Sequence, residues 1–267
     1  MSDETLITSR QNPRIKYFRS MHDRKAALRE GVVAVEGVRL CEEALKSGLK
    51  PKIIIYTRNR KTLASEWSER FMLPDKTEFL AVSDDVMESI ASTVNPQGIA
   101  AIIEAPDPGT EVPYSNNALY LIADGVSDPG NLGTMIRTAD AFDFTAVILS
   151  KETVDPFNEK AIRASMGSCF HVPVIQGGTI GEICLIIKQM GVQLIASHLA
   201  GKALESARFK FPAALVIGNE ARGVGEDCVS QCDMMVKIMM PGAAESLNAA
   251  SACAILSYVL SGSRTED

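Results

Sequence analysis

The residues of this chain able to do chemistry together gather in three turns that carry glycine alongside Asn, Arg, Glu or Ser. The first, DGVSDPGNLGTMIRTADAF, begins at the end of the apolar run YLIAD. Pro129 and Gly130 read as a turn, Asn131 as a helix cap and Gly133 as a place where another backbone can come close. Arg137 falls one to two helical turns further on, from where a guanidinium can reach a phosphate held at the helix start. The second turn, ALVIGNEARGVGED, sets Gly218, Asn219 and Glu220 directly after an apolar strand and continues through Arg222, Gly223 and Gly225. The third, KIMMPGAAESLNAASA, passes Pro241 and Gly242 and puts Glu245, Ser246 and Asn248 at the beginning of the final helix. There, side-chain donors and acceptors meet the positive end of a helix dipole.

Taken singly, each is a strand-to-helix turn with a cap. Together they bring Asn131, Arg137, Glu220, Ser246 and Asn248 to successive strand ends without a His or Cys nucleophile, which describes a binding and orienting site and not an acyl-transfer triad. Two nucleotide motifs are excluded. Gly223 is followed by Val224 and Gly225, so the lysine of a Walker loop is missing, and no G-x-G-x-x-G opens a helix after the first strand of either half. His22, His171 and His198 are scattered, and His171 beside a strand reads as structural. Cys41, Cys169, Cys184, Cys228, Cys232 and Cys253 form no C-x-x-C pair and no His-bearing metal spacing. They read as reduced core thiols, with neither a metal site nor disulfides expected.

Such turns work only if a sheet aligns them. ALYLIA, AVILS, HVPVI, VQLIAS, ALVIG and MMVKIM are apolar strands separated by helix-length stretches, the pattern of a parallel sheet covered on both faces, which binds ligands beyond its carboxyl edge. The stretch 245–262, ESLNAASACAILSYVLSG, is expected to be a helix lying close against a partner surface. Upstream, VVAVEG, KIIIYTR, EFLAVS and GIAAIIE alternate with RLCEEALKSG and DDVMESIAS as a small α/β domain. Between the halves, IIEAPDPGTEVPYSNNA (102–118) gathers Pro106, Pro108, Gly109 and Pro113 and is expected to break regular structure. The expected boundaries are a domain over 1–105, a linker over 106–117 and a second domain over 118–267.

A chain of 267 residues with 46% hydrophobic and 22% charged content is neither a fibre nor a disordered tail, and it accommodates one large domain or two. No apolar run reaches the roughly 18 residues of a membrane span, and the start, MSDETLITSRQNPR, has no apolar leader region. A soluble, cytoplasmic protein is expected. The net charge of -6 conceals an asymmetry: through Lys61 there are 14 Lys and Arg against 7 acids, and beyond it 13 against 26. Arg10, Arg14, Lys16, Arg19, Arg24, Lys25 and Arg29 face Asp23 alone, with Tyr17 and Phe18 interleaved. That mixture can meet phosphates and stack on bases, and equally can be a solvated helix face.

At the three turns the sequence resembles the SpoU (TrmH) family of RNA ribose 2'-O-methyltransferases, members of the SPOUT class. DPGNLGTMIRTADAF is similar to the family's first motif, IGNEARGVG to its second and IMMPGAAESLNAASA to its third, in order and at compatible spacing; RASMGSCFHVPV (163–174) fits between them. The strong similarity covers roughly 118 to 262, while ITSRQNP and AVEGVRLCEEAL resemble the small substrate-binding domain often fused in front.

The resemblance implies an α/β trefoil-knot methyltransferase domain with a parallel sheet, following a small α/β domain, and a homodimer formed through the knotted domains. It implies S-adenosylmethionine bound around Gly218, Asn219, Ile238, Met240 and Leu247, with the third turn wrapping the adenine. Arg137 would be the principal catalytic residue, with Asn131, Glu220, Ser246 and Asn248 organising it, the ribose and the cofactor. A guanidinium stays charged, so Arg137 suits stabilisation of the forming alkoxide better than base catalysis, and the proton acceptor stays open.

Two departures stand out: Ile238-Met239-Met240 where Ile-Pro-Met is common, and Asp143 where Gly is usual. The implied substrate is RNA, ribosomal in preference to transfer RNA, because a second domain suits a large irregular substrate. A transfer-RNA methyltransferase of the same family, or a noncatalytic RNA-binding or ribosome-assembly protein retaining the fold, are the alternatives.

Overall fold

The computed structural model describes residues 5–106, 109 and 111–264, and the chain divides into two compact units, 1–107 and 108–267. Asn12 and Asp23 each turn a side-chain oxygen onto the opening amides of α1 (Pro13–Ser20) and α2 (Arg24–Glu30), so the basic segment forms two capped helices and not one face. There follow β1 (Val32–Glu36), α3 (Val38–Lys46), β2 (Pro51–Thr57), α4 (Lys61–Arg70), β3 (Glu78–Val82), α5 (Asp84–Ile90) and β4 (Ile99–Glu104). The strands pair in the order β1-β4-β2-β3, with β2 and β3 parallel and the other pairs antiparallel.

Ile15, Phe18, Ala27, Ile53, Ile55, Val86 and Ile102 share this unit's core. Phe18 is 1% exposed, so it holds α1 to the sheet and cannot stack on a base, contrary to the sequence expectation. Of the stretch 102–118, Ile102, Ile103 and Glu104 complete β4 as the strand reading of GIAAIIE expects, Ile102 and Ile103 buried in a strand paired on both sides, so regular structure breaks only after Glu104. Pro108 of that stretch lies outside the described residues.

The second unit contains β5 (Leu119–Asp124), α6 (Pro129–Ala141), β6 (Ala146–Leu149), α7 (Glu159–Ser165), β7 (Val174–Gln176) and α8 (Ile180–Gln189). It continues with β8 (Gln193–Ala203), β9 (Ala213–Gly218), α9 (Glu226–Val229), β10 (Met234–Lys237) and α10 (Ala249–Ser261). Six parallel strands run in the order β10-β8-β9-β5-β6-β7. Tyr120, Ile122, Ala214 and Val216 pack with Ile183 and Ile187 of α8, while the equally buried Leu119, Leu121 and Ala123 alternate to the opposite face of the sheet. Helices α6 and α10 pack on each other, α6 touching β6 and α10 touching β9.

The expected strand HVPVI is shortened to Val174–Gln176, since Pro173 has no amide to offer the ladder. All six cysteines are free, and burial pushes the thiols of Cys169 and Cys253 up to about 12, which keeps them protonated. At the end of α6, Asp143 adopts φ +54, a left-handed conformation that Asp tolerates better than most residues.

Candidate active site

Register brings the first two turns together. Asp124 is opposite Gly218, so the carboxyl ends of β5 and β9 lie side by side, with β8 and β10 next along the same edge. Asp124 accepts from the Gly225 amide at 2.8 Å and so ties the end of β5 to the loop after β9; burial raises its pKa against that bond. The loop closes on itself through Asn219 N to Gly223 O at 3.0 Å and Gly223 N to Asn219 O at 2.8 Å. A side chain at Gly218 would collide with the main chain of Gly223 and Val224, so the residue is glycine for want of space. Asn219 is a loop builder: its Nδ2 donates to Gly125 O at 2.7 Å, and its Oδ1 accepts from Ala221 and Arg222 amides.

The opening of α6 differs from expectation. Asp128, not Asn131, is the cap, accepting from Asn131 N at 2.9 Å, and Pro129 and Gly130 are the first helical residues instead of a separate turn. The signal was available, because Asp directly before Pro is a cap followed by the residue best suited to the first helical position. Asn131 is thereby released to use its side chain elsewhere. Gly133 does accept a close neighbour: a Cβ there would strike Ala161 O and stand 2.7 Å from Ala164 Cβ, so α7 packs directly on α6.

Glu220 reaches across to this helix start. Its Oε1 accepts from Asn131 Nδ2 at 2.9 Å and Asp128 N at 3.3 Å, and its Oε2 accepts from Ser127 Oγ at 3.0 Å and Ser127 N at 3.3 Å. Partial burial raises the carboxyl's pKa, but the bonds from Asn131, its own amide, Ser127 and Asp128 together outweigh burial and bring it to about 2. The carboxylate is therefore charged throughout the neutral range.

The third turn joins through Asn248, whose Nδ2 donates to Asn131 Oδ1 at 2.9 Å. Asn248 Oδ1 caps α10, accepting from Ala250 N at 2.9 Å and Ser251 N at 3.2 Å. The final helix thus begins at Ala249 and not at 245. Glu245 and Ser246 are exposed coil ahead of it, in a segment opened by Pro241 and Gly242.

Beside this network lies a cavity of about 420 Å³, a size ordinary for a small-molecule site. Gly218, Asn219, Ile238, Met240 and Leu247 all line it, as do Glu220 and Ser246. Asn131 and Asn248 do not line it; Asn131 is bonded to Glu220, and Asn248 to Asn131. Arg137 is exposed on α6, does not line the cavity and has no side-chain partner among the described residues. Ser197 and His198 of β8 also line the cavity; sequence reasoning passed over Ser197 and set His198 aside as one of three scattered histidines. The irregular pairing that delivers them leaves no compositional trace. Met240 lies on the wall while Met239 is 55% exposed, so Met240 takes the lining place after Ile238 despite the displaced proline.

Apolar Ile238, Met240 and Leu247, the main-chain turns at 218–223 and a few polar groups make a lining suited to an amphipathic nucleoside, so the residues present fit S-adenosylmethionine. The SpoU rRNA Methylase family model matches residues 118–258, and the MRM3-like substrate binding domain model matches residues 12–101. The chain is 34% identical over 258 residues to the 23S rRNA (guanosine(2553)-2'-O)-methyltransferase RlmP of Bacillus subtilis (strain 168), covering 96% of this chain and 99% of that protein. It is 30% identical over 261 residues to the 23S rRNA (uridine(2479)-2'-O)-methyltransferase of Streptomyces viridochromogenes, covering 94% and 90% respectively. The crystal structure of the AdoMet-bound rRNA methyltransferase from Sinorhizobium meliloti matches with a TM-score of 0.83 at 30% identity, over 96% of this chain and 97% of that one. With the family's motifs joined by one hydrogen-bonded network and its model matching over half of the residues, this chain belongs to the SpoU rRNA methylase family.

Proposed function

We propose that this protein is an S-adenosylmethionine-dependent methyltransferase acting on a ribose 2'-hydroxyl of ribosomal RNA. The carrying observation is that Glu220, Asn131 and Asn248, one from each of the three turns, form a continuous hydrogen-bonded chain beside the cavity. When bound, S-adenosylmethionine supplies an electrophilic sulfonium methyl. Main-chain groups around Gly218, Asn219, Ile238 and Met240 hold the cofactor, and Leu247 covers it. Glu220 fixes the start of α6 and the second turn relative to each other, so that Arg137 is carried on supported backbone, and Asn248 ties the third turn, which holds Ser246, to Asn131. Arg137, a fixed cation without a protein partner among the described residues, clamps an RNA phosphate and stabilises negative charge on the ribose oxygen as its proton leaves.

The 23S rRNA specificity in the names of two relatives supports ribosomal RNA over transfer RNA; their different nucleotides, a guanosine and a uridine, leave the target base open. The proposed assembly is a homodimer of knotted domains, supported by α10, which exposes Ile255 (40%) and Tyr258 (68%) where a monomer would be polar. No helix among the described residues is long and apolar enough to cross a membrane, and the proposed compartment is the cytoplasm. In the first unit, the exposed Arg10, Lys16, Lys25 and Arg29 contribute phosphate contacts, while Arg14 is engaged with Glu78 at 2.5 Å, Arg19 with Ser89 at 3.0 Å, and Arg24 is only half-exposed.

The test is transfer of labelled methyl from S-adenosylmethionine to separated, unmodified ribosomal and transfer RNAs, with Arg137→Ala in parallel. Alkali-resistant label in ribosomal RNA, lost in the variant, is the expected result. Label in transfer RNA alone would reverse the substrate, and bound cofactor with no transfer to any RNA or precursor particle would return the noncatalytic alternative.

A further inference from the structure

The ladder between β8 and β10 is broken at one place. Ala196 is opposite Met235, yet the next residue, Val236, is opposite Lys202, so residues 197–201 arch out of the pairing. Gly201 permits the arch to close, since a Cβ there would stand 2.6 Å from the main chain of Met235 and Val236. The arch lies at the carboxyl end of the sheet and presents Ser197, His198 and Leu199 to the cavity. Within it, the Ala200 amide donates to Nδ1 of His198 at 3.1 Å.

That bond has a chemical consequence. A ring nitrogen that accepts from an amide carries no proton, so the neutral imidazole bears its hydrogen on Nε2. Nε2 has no protein partner among the described residues, and the charged residues that line the same cavity are Glu220 and Arg222 after β9, Lys237 at the end of β10 and Glu245 before α10. Glu220 has both oxygens engaged by α6 and its approach, so it does not compete for the imidazole proton. A fixed donor on the wall of a polar-apolar cavity is a ligand-orienting group.

We propose that His198 binds the cofactor: its Nε2–H donates to an oxygen of S-adenosylmethionine, and the Ala200 bond selects the tautomer that can do so. This rests on the methyltransferase reading above and names one further residue of that site.

Two conservative replacements separate the two ring nitrogens. The amide nitrogen of Gln reaches the place of Nε2 but leaves Ala200 N without its acceptor, whereas Asn keeps an oxygen near the place of Nδ1 and cannot reach the ligand. Calorimetric titration of the full chain with S-adenosylhomocysteine is therefore expected to give His198→Gln within about threefold of the unsubstituted protein and His198→Asn weakened about tenfold, one hydrogen bond's worth. The same Asn variant should raise the cofactor KM and leave turnover at saturating cofactor near normal. Methylthioadenosine, which keeps the ribose and lacks the amino acid, locates the acceptor: a loss persisting with it places the bond on the nucleoside, and a loss confined to S-adenosylhomocysteine places it on the carboxylate. His198→Asn binding as tightly as the unsubstituted protein, or Gln and Asn losing equally, would overturn the proposal. If the unsubstituted protein binds no S-adenosylhomocysteine, the methyltransferase reading itself falls; intact binding with the wrong variant pattern removes His198 alone.

Discussion

Replacing Glu220 with Gln tests whether the site is held by charge. The carboxylate accepts from Asn131, Asp128 and both donors of Ser127, and a Gln amide can satisfy only one side of that ring of donors while turning an NH2 group against the other. A carboxyl lowered from 4.5 to about 2 is linked to at most about 3.4 kcal/mol of stability at neutral pH. The side chain is exposed, and solvent screening reduces this to about 1 to 2 kcal/mol. For a unit of this size that is roughly a 3 to 6 °C fall in Tm.

The pH dependence gives the sharper test. Because the folded value lies below the unfolded one, the stabilisation is complete above 4.5 and vanishes as pH falls to about 2. At pH 3.5 a substantial part of it is already lost, so the Tm gap between the unsubstituted protein and Glu220→Gln should be clearly narrower than at pH 7. Thermal unfolding followed by circular dichroism at the two pH values reads this directly. A gap that is the same at both, or absent at pH 7, would refute the claim that the ionised carboxylate holds these turns together.

Three further perturbations bear on separate parts of the molecule. Gly218→Ala pushes a methyl into the main chain of Gly223 and Val224, so titration should show S-adenosylhomocysteine affinity falling more than about tenfold while the first unit's unfolding is unchanged. Gly133→Ala separates α6 from α7; about 1 to 3 kcal/mol of stability should be lost in chemical denaturation. Lys25→Ala with Arg29→Ala should flatten the log-log salt dependence of RNA affinity by about 1.4 in filter binding, at the ~0.7 per charge of a single strand, with cofactor affinity unaltered.

Much of the sheet was legible in the sequence because buried parallel strands are continuous apolar runs bounded by turn residues, and AVILS or ALVIG admits few other readings. The tertiary uses of side chains were less legible. Asn131 looks like a cap by composition, and only the position of Asp128, one residue before a proline, shows that the cap is already supplied. Phe18 among arginines looks like a stacking residue until α1 is seen to need an apolar anchor against the sheet. The place of Ser197 and His198 at the cavity was hidden for a different reason. They owe their place to an arch between two strands distant in sequence, and strand periodicity within β8 carries no information about its partner's register.

The polarity of the hydrogen bonds explains why the three turns behave as one site. Asn248 Oδ1 is committed to the first amides of α10, which leaves its Nδ2 as the only group able to meet Asn131. Asn131 must then present Oδ1 to Asn248 and Nδ2 outward, and an outward donor selects an acceptor, which Glu220 supplies. No amide in this chain can be flipped without pairing two donors or two acceptors, so the free helix end of α10 sets the orientation of a carboxylate two turns away. The same logic fixes the chemistry permitted at each position. Asp at 131 would still accept from Asn248 but would oppose Glu220 with a second carboxylate, and Gln at 220 would meet Ser127 or Asp128 donor to donor. A site whose members orient one another in sequence tolerates changes only in concert, and this is why three short motifs, separated by most of a domain, carry the identity of the chain better than its overall composition does.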